Sequence, residues 1–508
     1  PRLMYRALFQ SASRAPDHAA MVIEGRGISF RDLTEMSGRA AAAFQDAGMR
    51  KGDRVLVLLR NGPEYAAVFF GLLAAGGVAV PLNPTNTADS VRYVAGHCRA
   101  RFAVVNEQSN AYLAEWWRGS PAFLDGPARP GTVSLTKILS SGTHLLMDVD
   151  PQRNGEKEPV LLLYTSGTTG PPKGVMLSRE NLVANTDSIL EYLRLERSDR
   201  TLAILPFYYS YGNSILLTHV FAGATLVIEN GFAYTNKALS VMRDQRVTGF
   251  SGVPSHYAML IGRSRFLESD WPHLRYMTCA GGPLPVAHIQ RIRKALPKIR
   301  LHVMYGQTEG AARLSSLDPE LVESKIGSIG RGIPGVELRV VGNDGRDVEP
   351  GDVGEIVARG KNLMIGYLGD PGGTAEVLRD GWLHTGDLAT VDDEGFIFIR
   401  GREKEFIKSG GYRIGPQQIE DVLLQHPSVQ ECGVVGVPDE LLGEQVFAFA
   451  VFRPEAGPGV AEKDLLDFLR ERLPAYMVPA RIVPVGLLPK TETGKVKRQQ
   501  LREILPPA

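Results

Sequence analysis

The sequence predicts an α/β fold joined to a smaller α+β region. Two stacked sheets of βαβ type and a small β unit are expected in a large N-terminal portion, followed by a small, mobile α+β C-terminal domain. Short apolar runs alternate with helical patterns through the first 400 residues, which is typical of parallel sheets covered by helices. From about residue 326 the chain is rich in Gly, Asp and Pro and carries strands without long helices.

The strand and helix patterns follow one another in a regular order. Residues 53–61 form an apolar strand, and residues 63–77 form an apolar helix that is closed by glycines and leads to another strand. The same order returns at 201–228 and again between 249 and 306. The exception is the stretch 120–158, where Pro, Gly, Ser and scattered charges predict a variable surface excursion.

The change in pattern also predicts the domain boundaries. Residues 1–400 are expected to form the large portion, with a β-rich subdomain at about 326–400, where turns such as Asn343-Asp344-Gly345 join antiparallel strands. Residues 401–508 contain strands and amphipathic helices of their own, which predicts a small separate domain.

Composition excludes several classes of protein. Of the 508 residues, 44% are hydrophobic and 22% are charged, and the formal net charge is +1. This balance gives no reason to expect a nucleic-acid partner. The three cysteines are far apart, which argues against disulfides or a zinc site. No apolar run reaches the roughly 20 residues that span a bilayer. We therefore expect a soluble, cytoplasmic enzyme without an integral membrane segment.

The most informative stretch is LLLYTSGTTGPPKG at 161–174, where an apolar strand breaks into small hydroxylated residues and glycines. Many N–H and O–H donors over a short arc suit phosphate oxygens, and a lysine beside them adds a point charge. The alternative is an ordinary surface turn. The stretch lacks the G-x-x-x-x-G-K-[ST] spacing of a P-loop. The candidate phosphate-binding residues are Thr165, Ser166, Gly167, Thr168, Thr169, Gly170 and Lys173.

Further motifs follow strands in the large portion. Thr308 and Glu309 lie in YGQTE after the strand that ends near Tyr305, at a position where open α/β sheets bind ligands. A hydroxyl and a carboxylate there suit a phosphate contact and a Mg²⁺ ligand, although a solvated loop acid is the alternative. The glycines Gly281 and Gly282 also follow a strand, and their bare backbone could approach a flat ring.

Three motifs lie towards the C-terminal end. Asp387, in Thr-Gly-Asp, offers a carboxylate that could accept from both hydroxyls of a ribose, or it could simply form an Asx turn. Arg402 and Lys404 stand at the predicted domain junction, where a charged linker is the alternative. Lys495 lies in PKTETGK near the end of the chain, where a lysine is ordinarily a solvated tail residue.

Taken in this order, the motifs resemble those of the adenylate-forming superfamily of acyl-CoA synthetases, luciferases and nonribosomal-peptide adenylation domains. The resemblance extends from about residue 10 to residue 503 and is nearest to the acyl- and aryl-CoA ligases. It implies a two-step reaction. A carboxylate attacks the α-phosphate of ATP–Mg²⁺ to give acyl-AMP and pyrophosphate, and the acyl group then passes to a thiol.

The resemblance also implies a role for each motif. The loop from Thr165 to Gly170, with Lys173, would hold the β- and γ-phosphates. Thr308 would contact the α-phosphate, and Glu309 would bind the metal. Carried over in the same way, the remaining implied roles are adenine contacts for Gly281, Gly282 and Tyr305, ribose contacts for Asp387 and Arg402, and a bridge between the acyl carboxylate and the α-phosphate for Lys495. A buried cation there would offset the repulsion of two anions.

The small domain is implied to move. Lys404 occupies the family's hinge position, and rotation there would withdraw Lys495 between the two steps. The same rotation would present Lys408 with Gly410 and Gly411, where glycines leave room for a pantetheine arm. Coenzyme A is the expected acceptor, while a carrier-protein phosphopantetheine or an amine stays open.

The acid pocket is expected to be built from residues 206–214, the strand end at 250–255, which includes Val253, and the segment 281–306. Relatives that activate amino acids place an Asp at the start of this motif, whereas this chain has Tyr208, Tyr209 and Ser210. An α-amino acid is disfavoured because its ammonium would lack a partner. Tyr209 stands where many relatives have a gating side chain, or it is a core tyrosine. The remaining pocket candidates are Tyr211, Gly212, Asn213 and Ser214, which suit an aryl or medium-sized acyl acid.

Two other classes of function remain as rivals. A phosphoryl-transfer kinase would release ADP rather than pyrophosphate. A nonenzymatic nucleotide-binding module would tolerate the loss of Lys495 or Glu309. The oligomeric state and the identity of the acid are not indicated by the sequence.

Overall fold

The structure is a computed structural model that describes residues 4–117, 122–141, 155, 157–165, 171–232, 234–402, 405–453, 456, 460–490 and 496–504. The helices of this part of the chain are α1 (Met4–Arg14), α2 (Phe30–Asp46), α3 (Pro63–Ala75), α4 (Ala88–His97), α5 (Glu107–Trp116), α6 (Leu135–Ser140), α7 (Arg179–Leu193), α8 (Ser210–Ala222), α9 (Thr235–Asp244), α10 (Pro254–Arg263), α11 (Val286–Ala295), α12 (Pro371–Val377), α13 (Pro416–Leu423), α14 (Glu462–Arg470) and α15 (Arg498–Glu503).

The strands of the same residues run in chain order as β1 (Ala19–Ile23), β2 (Arg26–Ser29), β3 (Arg54–Leu58), β4 (Val78–Pro81), β5 (Phe102–Val105), β6 (Ala122–Leu124), β7 (Thr132–Ser134), β8 (Pro159–Thr165), β9 (Lys173–Ser178), β10 (Arg200–Ala203), β11 (Thr225–Ile228), β12 (Gly249–Gly252), β13 (Tyr276–Cys279), β14 (Arg300–Tyr305), β15 (Ser315–Ser316), β16 (Arg331–Gly332), β17 (Val336–Val341), β18 (Gly354–Gly360), β19 (Gly366–Tyr367), β20 (Leu378–Arg379), β21 (Trp382–Val391), β22 (Ile397–Arg402), β23 (Ile407–Ser409), β24 (Tyr412–Ile414), β25 (Val429–Asp439), β26 (Gly443–Phe452) and β27 (Arg481–Pro484).

Within the described residues these strands form four sheets. The first sheet has nine strands in the order β16-β15-β14-β13-β12-β10-β11-β1-β2, and the second has eight in the order β19-β9-β8-β4-β3-β5-β6-β7. Both are parallel in the middle and antiparallel at one or both ends. The third is the antiparallel sheet β17-β18-β21-β20 with β22 beside β21, and the fourth is β24-β23-β26-β25 with β27 beside β26. The predicted mixed fold with two stacked α/β sheets is confirmed.

The two large sheets share one hydrophobic core. In β3, Val55 and Val57 face this core, which also takes side chains from the first sheet and from α2, α3 and α8. Leu56 and Leu58 point the opposite way into a second cluster with α4, as the two-residue period of a strand requires. Both faces of the second sheet are thus covered, which explains the near-continuous apolar character of its strands.

The helix α3 is buried because its sequence is apolar on all sides. It begins with Pro63, which suits the first turn of a helix, and ends at Gly76, whose φ of 83° is left-handed. It packs on α2, which starts with a capping box formed by Ser29 and Asp32. The contact is close at Gly71, where an added Cβ would lie 2.8 Å from the Cβ of Ala40.

The prediction for residues 120–158 was wrong in part. Ala122–Leu124 is a buried strand that pairs in parallel with β5, and Thr132–Ser134 extends the sheet by one more strand. The runs are only three residues long and are surrounded by Pro, Gly and Ser, so the local composition outweighed the strand signal. Residues 142–154 of this stretch lie outside the described residues.

The third sheet is not fully separate from the large sheets. Within residues 336–402 the chain leaves it at β19, which pairs antiparallel with β9 of the second sheet. The strand β22 continues to Arg402, two residues past the predicted boundary at 400. The boundaries themselves stay predictions.

The fourth sheet has a core of its own. Side chains of α13 and α14 pack on its strands around Ile419, Val434 and Leu465. Cys98, Cys279 and Cys432 are all buried and free, which agrees with the expectation that the chain has no disulfides. Among the described residues no helix is both long and apolar enough to cross a membrane.

Replacing Gly71 by Ala should destabilise the large portion, because the extra methyl group collides with Ala40 and with the carbonyl oxygen of Ser37. We expect a loss of about 1–3 kcal/mol, measured as a lower denaturation midpoint. The matched control is Gly96→Ala near the end of α4, where an added Cβ meets nothing within 4 Å. In Gly96→Ala the denaturation midpoint should equal or exceed that of the wild type. Equal midpoints for Gly71→Ala and Gly96→Ala would contradict the close packing of α2 and α3.

Candidate active site

The loop after β14 is held in an unusual backbone conformation. At Gly306 a Cβ would collide with the carbonyl oxygen of Ala312, so only glycine fits there. Ala311 and Ala312 have φ values of 52° and 107°, which cost free energy in non-glycine residues and are found mainly at functional sites. The loop is fixed from outside by two buried amides, Asn185 and Asn362, which both donate to the carbonyl oxygen of Arg313.

Asp387 joins the first sheet to the third. Its carboxylate is 6% exposed and accepts from the hydroxyl of Tyr305 at 2.5 Å and from Nε of Arg402 at 2.9 Å. Asp387 and Arg402 are register partners on β21 and β22, so strand pairing sets their contact. The negative charge of Asp387 raises the pKa of Arg402. Burial and the same charge raise the pKa of Tyr305, so its hydroxyl remains a donor.

The part of β21 just before Asp387 is irregular and has its own support. Glu355 on β18 accepts from the backbone N–H of Gly386 at 2.9 Å and pairs with Nδ1 of His384 at 2.7 Å. The hydroxyl of Thr385 donates to the carbonyl of Ile356, also on β18, at 2.7 Å. The neighbouring strand β18 thus holds this stretch, which limits where the Asp387 carboxylate points.

Glu309 and Lys173 meet at one tyrosine. The hydroxyl of Tyr367 donates to Oε1 of Glu309 at 2.8 Å, and Nζ of Lys173 lies 4.6 Å from the centre of the Tyr367 ring. Lys173 also forms an ion pair of 3.0 Å with Asp370. Glu309 lies four residues after Tyr305, whose hydroxyl donates to Asp387. This short stretch of chain connects the acid and the lysine to the Asp387 cluster.

The residues around Glu309 fit a magnesium ion that arrives with a nucleotide. Among the described residues no cluster of three or more His, Cys, Asp or Glu side chains could hold a metal. Magnesium does not require such a cluster, because it is usually held by one or two carboxylates together with substrate phosphates and water. In the described part of the chain Oε1 of Glu309 accepts from Tyr367, and no hydrogen bond or ion pair engages Oε2.

Thr308 lies close to the start of α8, and Thr165 is the last residue of β8. The hydroxyl of Thr308 is 3.5 Å from that of Ser210, the first residue of α8. Thr165 ends β8 and is the register partner of Lys173 at the start of β9. Thr165 and Lys173 thus stand on either side of the predicted phosphate loop in the sequence. Ser166, Gly167, Thr168, Thr169 and Gly170 lie outside the described residues.

Tyr211, one of the predicted pocket residues, belongs to a network of hydroxyl groups. Tyr211, on α8, has its hydroxyl 2.7 Å from Oγ1 of Thr278 at the end of β13, and Thr278 donates to Ser251 on β12. Burial raises the pKa of Tyr211, and the guanidinium of Arg313 lies 3.9 Å from the centre of its ring. The hydroxyl of Tyr211 is thus already bonded within the protein, and its ring is held in place.

The other pocket candidates have different surroundings. At Gly212 a Cβ would collide with the carbonyl oxygen of Pro206, so packing alone requires this glycine. Ser214 is buried and donates to the carbonyl of Tyr211 at 2.7 Å. Nδ2 of Asn213 is buried and has no hydrogen-bond partner in the described part of the chain. The rings of Tyr208 and Tyr209 contact each other, with centres 4.8 Å apart.

Gly281 and Gly282 face the beginning of α10. Gly281 has a φ of 86°, and an added Cβ would come within 3.2 Å of the side chain of Val253. At Gly282 the nearest neighbour of an added Cβ would be Pro254, at 3.4 Å. The glycines therefore lie at the carboxyl end of β13, next to the strand end from which Val253 was predicted to reach the pocket.

The remaining predicted residues lie on the fourth sheet or outside the described part. Lys408 is on β23, and Gly410 and Gly411 form the turn to β24 with φ values of 54° and 85°. Lys404 and Lys495 lie outside the described residues.

Sequence reasoning missed the residues that support the predicted ones. Glu355 holds the backbone just before Asp387. Tyr367 holds the carboxylate of Glu309, and Asp370 holds the ammonium of Lys173. Only Asp370 carried a local signal, since an Asp before Pro371 is typical of a helix start. Tyr367 lies 58 residues from Glu309 along the chain, and no spacing rule connects the two.

Comparison with known proteins finds relatives over nearly the whole chain. The family model of AMP-binding enzymes matches residues 8–368, and that of the AMP-binding enzyme C-terminal domain matches residues 418–495. Feruloyl-CoA synthase of an Amycolatopsis species is 33% identical over 97% of this chain and 96% of its own length. Fatty acid–[acyl-carrier-protein] ligase ScoC of Streptomyces coeruleorubidus is 32% identical over 97% of this chain and 94% of its own.

Solved structures are similar over nearly the whole chain. An anthranilate CoA ligase in complex with anthranoyl-AMP has a TM-score of 0.91 at 26% identity, covering 99% of this chain and 97% of that one. The o-succinylbenzoate CoA synthetase of Bacillus subtilis in complex with ATP and magnesium has a TM-score of 0.84 at 28% identity, covering 98% and 99%. The order of motifs, the four sheets and these matches agree, and the chain belongs to the AMP-binding enzyme family of adenylate-forming ligases.

Proposed function

We propose that the protein uses ATP to convert an aromatic carboxylic acid into its acyl adenylate and then transfers the acyl group to the thiol of coenzyme A. One observation carries the proposal. Three different sheets contribute Asp387, Glu309 and Lys173. Their contacts with Tyr305 and Tyr367 support a single shared site. An adenylating enzyme needs a sugar contact, a metal ligand and a cation in such a site.

The nucleotide roles follow from the groups present. Asp387 is the proposed ribose contact, because a carboxylate has about four acceptor positions and the two protein donors leave capacity for sugar hydroxyls. Lys173, with Thr165 and the loop between them, is proposed to hold the β- and γ-phosphates, and Thr308 the α-phosphate. Glu309 would hold the magnesium ion, which when bound neutralises phosphate charge. Tyr305, Gly281 and Gly282 are proposed to frame the adenine.

The C-terminal residues have proposed roles as well. Lys495 would bridge the acyl carboxylate and the α-phosphate during adenylation. Rotation at Lys404 would then withdraw it and present Lys408, Gly410 and Gly411 to the pantetheine arm. The left-handed φ values of the two glycines support this role, because a turn without side chains lets a thin chain pass close to the backbone.

An aromatic acid is favoured by the pocket candidates. Tyr208, Tyr209 and Tyr211 surround the start of α8 without a carboxylate to pair an α-ammonium. Nδ2 of Asn213 has no partner among the described residues and could meet a polar substituent of the acid. Relatives named for feruloyl and anthranilate substrates add support from outside the chain.

Coenzyme A is the favoured acceptor, and a carrier protein is the second candidate. The relative named for feruloyl-CoA supports the first, and the ligase named for an acyl-carrier protein supports the second at almost the same identity. An amine acceptor would give an amide from the same acyl adenylate.

A panel of acids should distinguish these possibilities. Aromatic acids such as ferulate, indoleacetate and anthranilate should release pyrophosphate, followed by medium-chain fatty acids. Amino acids should be at least about a hundredfold slower in kcat/KM, since an unpaired buried charge costs several kcal/mol. Products are then identified with coenzyme A, a carrier protein or an amine present. Release of ADP would indicate a kinase, and ATP binding without any acid-dependent pyrophosphate would indicate a binding module.

Asp387→Asn should raise the KM for ATP by about 10- to 100-fold, because hydrogen bonds to a charged group contribute about 1.5–3 kcal/mol. The KM for the acid should change little. The matched control is Asp393→Asn at the exposed turn of the same β21–β22 hairpin, which should behave like the wild type. An unchanged KM for ATP in Asp387→Asn would contradict the ribose role.

Lys404→Pro should separate the two half-reactions. Proline fixes φ and removes the N–H, so rotation at this position would be blocked while adenylation continues. Acid-dependent pyrophosphate release in a single turnover should persist, and thioester formation should fall by an order of magnitude or more. Lys404→Ala is the control that should keep both steps, and full thioester formation by Lys404→Pro would exclude the hinge.

A further inference from the structure

Residues 366–373, here called the Tyr367 segment, run alongside β9, the strand that follows the predicted phosphate loop. The N–H of Leu368 donates to the carbonyl of Gly174 at 2.8 Å, and that of Ile365 donates to Met176 at 2.9 Å. Gly366 and Tyr367 form β19 on β9, the strand that begins at Lys173. The backbone of the segment is therefore fixed to the strand that carries the lysine.

Tyr367 contacts both groups assigned to the triphosphate. Its hydroxyl donates to Glu309 at 2.8 Å, and its ring faces Nζ of Lys173 at 4.6 Å. Tyr367 is 9% exposed, and burial and the charge of Glu309 raise its pKa. The hydroxyl proton of Tyr367 is therefore directed at the carboxylate.

Asp370 supplies the counter-charge of Lys173. Its Oδ2 lies 3.0 Å from Nζ, while Oδ1 accepts from the N–H of Gly373 at 2.8 Å. The Gly373 N–H and then Lys173 lower the pKa of Asp370, which keeps it ionised. Space is limited here, since a Cβ at Gly373 would come within 2.6 Å of Nζ of Lys173.

We propose that Tyr367 is a positioning residue for MgATP and that Asp370 is the resting counter-ion of Lys173. Tyr367 orients the Glu309 carboxylate so that its other oxygen faces the metal, and Asp370 pairs with Lys173 until the triphosphate replaces it. The proposal rests on the nucleotide roles given above. Hydrogen-bond partners of metal-binding carboxylates set the ligand's orientation, and removing them typically lowers metal affinity or activity by about 10- to 100-fold.

The ion pair is weak enough to be exchanged. The side chains of Lys173 and Asp370 are 43% and 42% exposed, and ion pairs this exposed to water contribute little to stability. A triphosphate carries several negative charges and approaches the ammonium without needing to displace a buried partner. The structure thus gives Lys173 a resting partner that a nucleotide can replace.

Tyr367→Phe tests the first part by removing only the hydroxyl. Binding of α,β-methylene-ATP is measured by calorimetry without acid, once with saturating Mg²⁺ and once with EDTA. We expect binding to weaken by about 10- to 100-fold with Mg²⁺ and to stay unchanged in EDTA, because the ring still faces Lys173. Unchanged binding with Mg²⁺, or equal weakening in both conditions, would overturn the role of Tyr367.

Two controls keep this result interpretable. Tyr276→Phe removes a buried tyrosine hydroxyl that contacts His219 instead, and it should bind the nucleotide like the wild type. In a Glu309→Gln background the Tyr367→Phe change should have no further effect with Mg²⁺, since coupled residues are not additive. A persisting effect would show that the tyrosine acts through something other than Glu309.

Asp370→Asn tests the second part. Releasing Lys173 from its partner should tighten binding of the same analogue by up to about fivefold in both conditions, which corresponds to an exposed ion pair. Glu158→Gln, which breaks the similarly exposed pair with Lys51, is the matched control and should change nothing. Equal or weaker binding by Asp370→Asn would overturn the role of Asp370. Acid-dependent pyrophosphate release by the wild type tests the proposed function independently.

Discussion

The buried carboxylate of Asp387 is the interaction on which the arrangement of the site depends. A charged group that is 6% exposed must be paired, since burying it alone would cost several kcal/mol. Tyr305 comes from the first sheet and Arg402 from the third, so satisfying this one charge fixes the two sheets relative to each other. Only two residues separate Tyr305 from Thr308 and Glu309. The contact between Tyr305 and Asp387 therefore also restricts where Thr308 and Glu309 lie.

Backbone packing then determines where Glu309 lies. Gly306 and Gly310 leave no room for a Cβ, and the left-handed residues Ala311 and Ala312 are held by the amides of Asn185 and Asn362. The strain in this loop is balanced by hydrogen bonds from α7 and from the chain beyond β18. The loop is consequently a well-supported base for Glu309, the proposed metal ligand, rather than a solvated surface turn.

The sequence could predict those parts of the site that lie in local patterns. The alternation of strands and helices predicted the two large sheets. Glu309 could be identified because it follows a strand, and Asp387 because it lies in a Thr-Gly-Asp motif. Their partners could not be predicted in the same way. Glu355 and Tyr367 reach the site through tertiary pairing across 31 and 58 residues, and no local period encodes such pairing. The short strand β6 was missed because three apolar residues within Pro- and Gly-rich sequence resemble a loop.

The proposed nucleotide half and the proposed acid half of the site rely on different interactions. This difference bears on which substrates each half would accept. The nucleotide half relies on charges with fixed partners, which reject a ligand that leaves them unpaired. In the acid half, the hydroxyls of Tyr211, Thr278 and Ser251 are already bonded to one another. Discrimination among acids must then come mainly from shape, where one methylene group is worth only about 1–3 kcal/mol. With the proposed roles, the same scaffold would be strict about its nucleotide and tolerant among acids of similar size. The buried amide nitrogen of Asn213, which has no hydrogen-bond partner among the described residues, is a polar group that would narrow this tolerance.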